Sequence, residues 1–131
     1  MEWYLKVLRH FADFSGRARR KEFWMFVIIN IIIFIITIGL DNILNTTIDK
    51  AGNGYINLLY VLTVFIPALA VGVRRMHDIG KSGWMVLVGL IPVAGIVWLI
   101  ILYTTKGVNG SNQYGPDPKE VSRISTHLGF N

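Results

Sequence analysis

The chain has 131 residues, enough for one domain. Apolar residues make up 53% and charged residues only 16%, against roughly 25% in ordinary soluble domains, so there is too little charge to cover a water-facing surface. The net charge of +5 lies at the ends of apolar runs rather than over a solvent face, which excludes a nucleic-acid binder, and the absence of Cys excludes disulfides, thiolate nucleophiles and thiolate metal sites.

Residues 1–14 have the period of an amphipathic helix. Trp3, Tyr4, Leu5, Val7, Leu8, Phe11, Ala12 and Phe14 fill one half of the wheel, and Glu2, Lys6, Arg9, His10 and Asp13 fill the other. This suits a helix lying among lipid headgroups with Trp3 and Tyr4 as anchors, or one packed on other protein. Ser15-Gly16 breaks the pattern, with Ser15 a candidate N-cap for the next helix. Arg17, Arg19, Arg20 and Lys21 follow, then Glu22, three positions after Arg19 and able to pair with it.

Three apolar runs come next, at 23–40, 55–73 and 84–103. All 21 acidic and basic residues lie outside them, a segregation that points to lipid. The first, 18 residues, spans about 27 Å as a helix, close to the bilayer's hydrocarbon thickness. It is too long for a cleavable leader's apolar core. Asn30 inside it needs a partner on another helix. The second run carries Asn57, Thr63 and a kinking Pro67, with Ala68 and Gly72 as a small-xxx-small step. The third, from Trp84 to Tyr103, reads as a span kinked around Pro92 and Gly95. The alternative is a re-entrant hairpin with its tip there. The tail, 105–131, returns to polar composition, with turn formers as far as Pro118 and a frayed end expected beyond.

Basic residues near the span ends set the topology. The N-terminal segment has six Lys and Arg, the 41–54 loop one, and the 74–83 hinge three. The N-terminus and hinge are therefore expected in the cytoplasm and the 41–54 loop outside. Three full spans send the tail outside, against the inward pull of Lys106, Lys119 and Arg123. A re-entrant third run relieves that conflict.

Candidate chemistry concentrates in the hinge, RRMHDIGKSGW at 74–84. His77 and Asp78 are adjacent and so point different ways on a helix, which is not a dyad. His10, His77 and His127 are scattered, and no phosphate loop or hydrolase motif is present. No catalytic, cofactor or metal residues are assigned. Arg17, Arg19, Arg20, Arg74, Arg75, His77, Asp78, Lys81 and Trp84 are instead the candidate contacts for an anionic lipid headgroup or a partner protein. The other reading of the hinge has Asp78 paired internally with an Arg.

Three motifs make the chain resemble the YhaH/YhaI-type small inner-membrane proteins of bacteria, a family of unknown function. They are FSGRARRKEFW at 14–24, RRMHDIGKSGW at 74–84 and GSNQYGPDPK at 110–119, with the opening WYLKVL at 3–8 also similar. The resemblance runs over nearly the whole chain. It implies a polytopic protein of the bacterial inner membrane and supplies no activity or site.

The expectation is an all-α membrane protein in three parts. Residues 1–22 form an interfacial helix and basic collar, 23–104 a domain of three transmembrane helices, and 105–131 a polar tail. Its expected role is a non-enzymatic membrane component that contacts anionic lipid headgroups, a membrane-protein partner or further copies of itself. The alternative is a subunit of a small oligomeric channel or transporter, with Asn30, Asn57 and Thr63 on the path.

Overall fold

A computed structural model describes residues 1–129; Phe130 and Asn131, the end of the expected tail, lie outside the described residues. Every named element is helical: α1 (Glu2–Arg9), α2 (Arg20–Ile43), α3 (Tyr55–Asp78), a 3-10 helix (Gly83–Leu90), α4 (Ala94–Thr104) and α5 (Pro118–His127). Helices α2 and α3 are each 24 residues long and apolar enough to cross a bilayer. At 1.5 Å per residue each reaches about 36 Å.

The turn between α2 and α3 is closed by one buried carboxylate. Asp41, near the end of α2, accepts from the Thr46 hydroxyl at 2.6 Å and from the amides of Ile56 at 3.0 Å and Asn57 at 2.8 Å. It thus supplies the cap that Gly54, at the head of α3, has no side chain to give. Gly54 is required there, because a Cβ on it would fall 2.4 Å from the Asp41 carboxylate carbon.

Further along, Asn57 donates to Thr37 at 2.9 Å. One turn beyond, the Tyr60 hydroxyl donates to Asn30 at 2.5 Å. The intramembrane amides are therefore satisfied between the two helices, which specifies their register. Away from this seam, Ile31, Ile32, Ile35 and Ile36 of α2 and Leu58, Leu59, Leu62 and Phe65 of α3 are exposed. A face this large and apolar is unsuited to water.

Residues 84–103 depart from the expected third span. The 3-10 helix and α4 form a hairpin whose two ends lie at the same end of α3. Gly83 abuts Val73 and His77, while the carbonyls of Tyr103 and Thr105 bond Arg75. Each arm is about 16 Å by helical rise, half the hydrocarbon thickness. The reversal is a γ-turn at Val93, with φ 60° and ψ −67°, where the Ala94 amide donates to the Pro92 carbonyl at 2.7 Å. Pro92 cannot extend the first arm by donating, and Gly95 lets the backbones meet, since a Cβ there would lie 1.9 Å from the Val88 carbonyl oxygen. The small-xxx-small step is used here too: Gly72 faces the Tyr103 hydroxyl and Val86.

Helix α1 ends at Arg9, short of the 14 residues the period suggested, because the chain turns at 10–12. One side of it packs on other protein. Val7 is fully buried with Ala18, Phe23, Phe26 and Val71, and Tyr4 stacks on Phe26 at 5.4 Å. Leu5, Leu8 and Phe11 are exposed. Ser15 does not cap α2; its amide and hydroxyl turn back to Asp13, and Arg19 occupies the cap position. The tail corrects a second expectation. Residues 118–127 form α5, because Asp117 accepts from the Lys119 amide at 2.9 Å and Pro118 starts the first turn without wasting a donor.

Candidate functional site

The first turn of α2, the last turn of α3, the 10–19 loop and the tail meet in a cluster of buried charges. Glu22 is fully buried and accepts from Arg74 at 2.9 Å and from Lys6 of α1 at 2.9 Å. Asp78 accepts from Arg17 Nε at 3.0 Å and from Arg75, itself fully buried. Arg74 and Arg75 are consecutive, so their side chains leave α3 about 100° apart and serve opposite sides of the junction. The Arg19–Glu22 pairing expected from their spacing gives way to the stronger demand of buried Arg74.

These guanidinium groups outnumber the carboxylates, and backbone carbonyls make up the difference. Arg17 reaches the carbonyls of Val108 and, at 2.6 Å, Gly110. Arg75 reaches those of Ala18 at 3.3 Å, Tyr103 at 3.2 Å and Thr105. Arg20, exposed, donates to the Thr104 carbonyl at 3.1 Å. The tail is thereby fastened to the hinge, and the Val108 amide adds a bond to the Asp78 carbonyl at 2.8 Å. Gly107 makes room: a Cβ on it would lie 2.2 Å from Asp78 Oδ2. Arg74 keeps two buried nitrogens, Nε and Nη2, without a partner among the described residues.

Asp117 sits at the edge of this cluster. Burial pushes its carboxyl pKa up, but the amides of Lys119 and Gly110 and the charge of Arg17 outweigh that and hold it below its ordinary value of 3.8. Asp13 is likewise held low, by the hydroxyl and amide of Ser15.

His77 and Asp78 do not meet each other. The His77 Nδ1 is 3.0 Å from the Gly16 carbonyl, and the ring stacks on Tyr114 of the tail at 3.9 Å and 4°. Asn112 donates to the His77 carbonyl at 2.9 Å. Lys81 and Trp84 project outward, Trp84 with 78% of its surface exposed. Among the described residues no three His, Asp or Glu converge as metal ligands.

A second feature lay outside the sequence reading. The indole of Trp3 gathers three cations, with Arg19 at 5.3 Å, Lys6 at 5.6 Å and Lys21 at 5.7 Å from its ring. Trp3 and Arg19 belong to the wheel and the collar separately, and only the fold of the 10–19 loop brings them together.

Of the nine candidate contacts, then, Arg17, Arg74, Arg75 and Asp78 are engaged internally. Arg19 lies over Trp3, Arg20 holds Thr104, His77 holds the loop and tail, and Lys81 and Trp84 face outward. Chemically the buried cluster is a clamp. Apart from Arg74 Nε and Nη2, its buried charged groups are occupied by one another and by backbone, an arrangement that fixes geometry.

A family model described as a protein of unknown function (DUF805) matches residues 11–116. The inner membrane proteins YhaI and YhaH of Escherichia coli K12 are each 44% identical over 119 residues, covering 91% of this chain and 97% and 98% of their own lengths. The uncharacterized protein YiiR of the same organism is 28% identical over 134 residues, covering 83% of this chain and 88% of its own. No solved structure matches. On the family match and these two relatives together, the chain belongs to the DUF805 family of bacterial inner-membrane proteins, whose function is unknown.

Proposed function

We infer that this protein is a non-enzymatic membrane component that holds anionic lipid headgroups at the cytoplasmic face. The observation that carries the reading is the convergence of Lys6, Arg19 and Lys21 on Trp3. Like charges repel, and among the described residues neither Arg19 nor Lys21 has a carboxylate partner. An indole attracts cations through its ring face but does not neutralise them, so the cluster remains open to an anion from outside. A phosphate of the bilayer surface meets it at the depth where Trp3 anchors α1. Arg20 and Lys81, both exposed, extend the basic surface.

In this reading α2 and α3 cross the membrane and 84–103 enters and leaves from the cytoplasmic side. The N-terminus, hinge and tail then share that side with Lys106, Lys119 and Arg123, and the positive-inside conflict disappears. Support for a conducting role is weaker, because Asn30 and Asn57 are spent on Tyr60 and Thr37, and Thr63 bonds its own helix at Leu59.

The test is lipid retention. The full chain is purified in mild detergent with mixed phosphatidylglycerol and phosphatidylethanolamine, and bound lipid is quantified by mass spectrometry. Arg19→Gln with Lys21→Gln should lower phosphatidylglycerol severalfold and leave phosphatidylethanolamine unchanged. Unaltered phosphatidylglycerol in that variant would sink the reading.

A further inference from the structure

A cavity lies where the hairpin leaves the hinge. It measures about 440 Å³ and is walled by Leu69 and Val73 of α3, Val86 and Leu87 of the 3-10 helix, and Phe14. That volume is in the range of small-molecule sites. Trp84 stands at its rim, largely exposed, as aromatic residues do at the level of lipid headgroups. Gly83 keeps the floor open, since a Cβ there would fall 2.6 Å from Val73 Cγ1 and 3.3 Å from His77 Nε2.

Three side chains with polar atoms, His77, Ser82 and Tyr114, line this space. His77 is fixed in orientation by the Gly16 carbonyl on Nδ1 and by the Tyr114 ring against its face. A carbonyl only accepts, so Nδ1 carries the proton in the neutral ring and Nε2, on the cavity side, presents a lone pair. Ser82 accepts from the Trp84 amide at 3.4 Å, which leaves its own hydroxyl proton to donate. The lining therefore offers an acceptor at His77 and a donor at Ser82, with the phenol of Tyr114 in the same wall of otherwise apolar side chains. It holds no Asp, Glu, Lys or Arg among the described residues.

We propose that this cavity binds a neutral membrane amphiphile with an aliphatic chain and a hydroxyl head, the class of long-chain alcohols and monoacylglycerols. The hydroxyl donates to His77 Nε2 and accepts from Ser82, and the chain lies between Leu69, Val73, Val86 and Leu87. A carboxylate or phosphate head would find no guanidinium or ammonium group in this lining. The site is separate from the Trp3 cluster in position and in ligand charge, so either can fail without the other.

The test uses the full chain in dodecyl maltoside at pH 8 with two photoreactive probes, hexadecanol and hexadecanoic acid, each bearing the same mid-chain diazirine. Labelled peptides are mapped by mass spectrometry. Hexadecanol should label residues 69–73 and 82–87 at least fivefold more than the acid. His77→Phe should reduce that labelling about fivefold, the worth of one hydrogen bond, and Leu87→Trp, which fills the cavity, should abolish it. Equal labelling by the two heads, or hexadecanol labelling unchanged in folded His77→Phe, overturns the proposal. Where His77→Phe does not fold, Leu87→Trp decides: labelling that persists overturns it.

Discussion

Arg17 and Asp78, 61 positions apart, are joined by a 3.0 Å ion pair with both side chains almost wholly out of solvent. The pair ties the loop ahead of α2 to the last turn of α3, and Arg75 shares the same carboxylate. Removing that charge leaves two guanidinium groups buried without an anion. Asp78→Asn should cost about 3–5 kcal/mol, the range for breaking a buried pair on one side. Thermal unfolding in detergent reads it, with Lys81→Gln on the exposed hinge surface as a control expected to stay within about 0.5 kcal/mol.

Asp41 holds the opposite end of the two-helix unit. Asp41→Ala removes the cap from the head of α3 and strands the Ile56 and Asn57 amides, and should destabilise by about 1–2 kcal/mol. The measurement is the same unfolding midpoint. A midpoint equal to that of the parent protein would show the amides finding other partners.

Val93 carries a branched side chain at positive φ, where L-residues are strained by about 1–3 kcal/mol. It is 75% exposed, so its side chain contributes little packing. Val93→Gly should therefore raise stability by about 1 kcal/mol, against the usual cost of a glycine. A lower midpoint would show that the Val93 side chain makes contacts in the bilayer that outweigh the strain.

The attachment of α5 should depend on acid. The Asp117 carboxyl sits below 3.8 when folded, so its contribution is present above that value and lost as pH falls through the folded value. Protection of the backbone amides of 118–127, relative to an unfolded chain at the same pH, should be high at pH 6 and fall as the pH drops through the folded value of Asp117. Asp117→Asn should remove most of that pH dependence, because Asn also caps but does not titrate.

The hairpin makes a prediction about sidedness. Single cysteines placed at Lys21, Ser82 and Ser111 should all react with a membrane-impermeant maleimide from the cytoplasmic side, and one at Lys50 from the other. A cysteine at Ser111 reactive only from outside would restore a full third span.

The two long helices were legible because length and freedom from charge mark a candidate span. Residues 84–103 have the same two properties, so hydropathy alone reports a long apolar run but not that it turns back. Pro92, Gly95 and the basic tail held the only trace of the reversal. Helix α5 was also written in plain sight, as Asp117-Pro118 with Glu120 in the first turn, but its low apolar content hid it among turn formers. The clamp was half visible. An internal partner for Asp78 followed from the cost of burying charge, yet Arg17 as that partner depends on a loop path no local pattern encodes. The carbonyls of Val108 and Gly110 were invisible, since a backbone acceptor has no side-chain signature.

Those carbonyls also order events in biosynthesis. Arg17 leaves the ribosome early and Arg75 midway, but the oxygens that complete their coordination belong to residues 103–110, made near the end. Until then both cations keep their water, so the collar can close only after the hairpin has been made. A chain halted before Val108 would leave Arg17 short of the carbonyls of Val108 and Gly110.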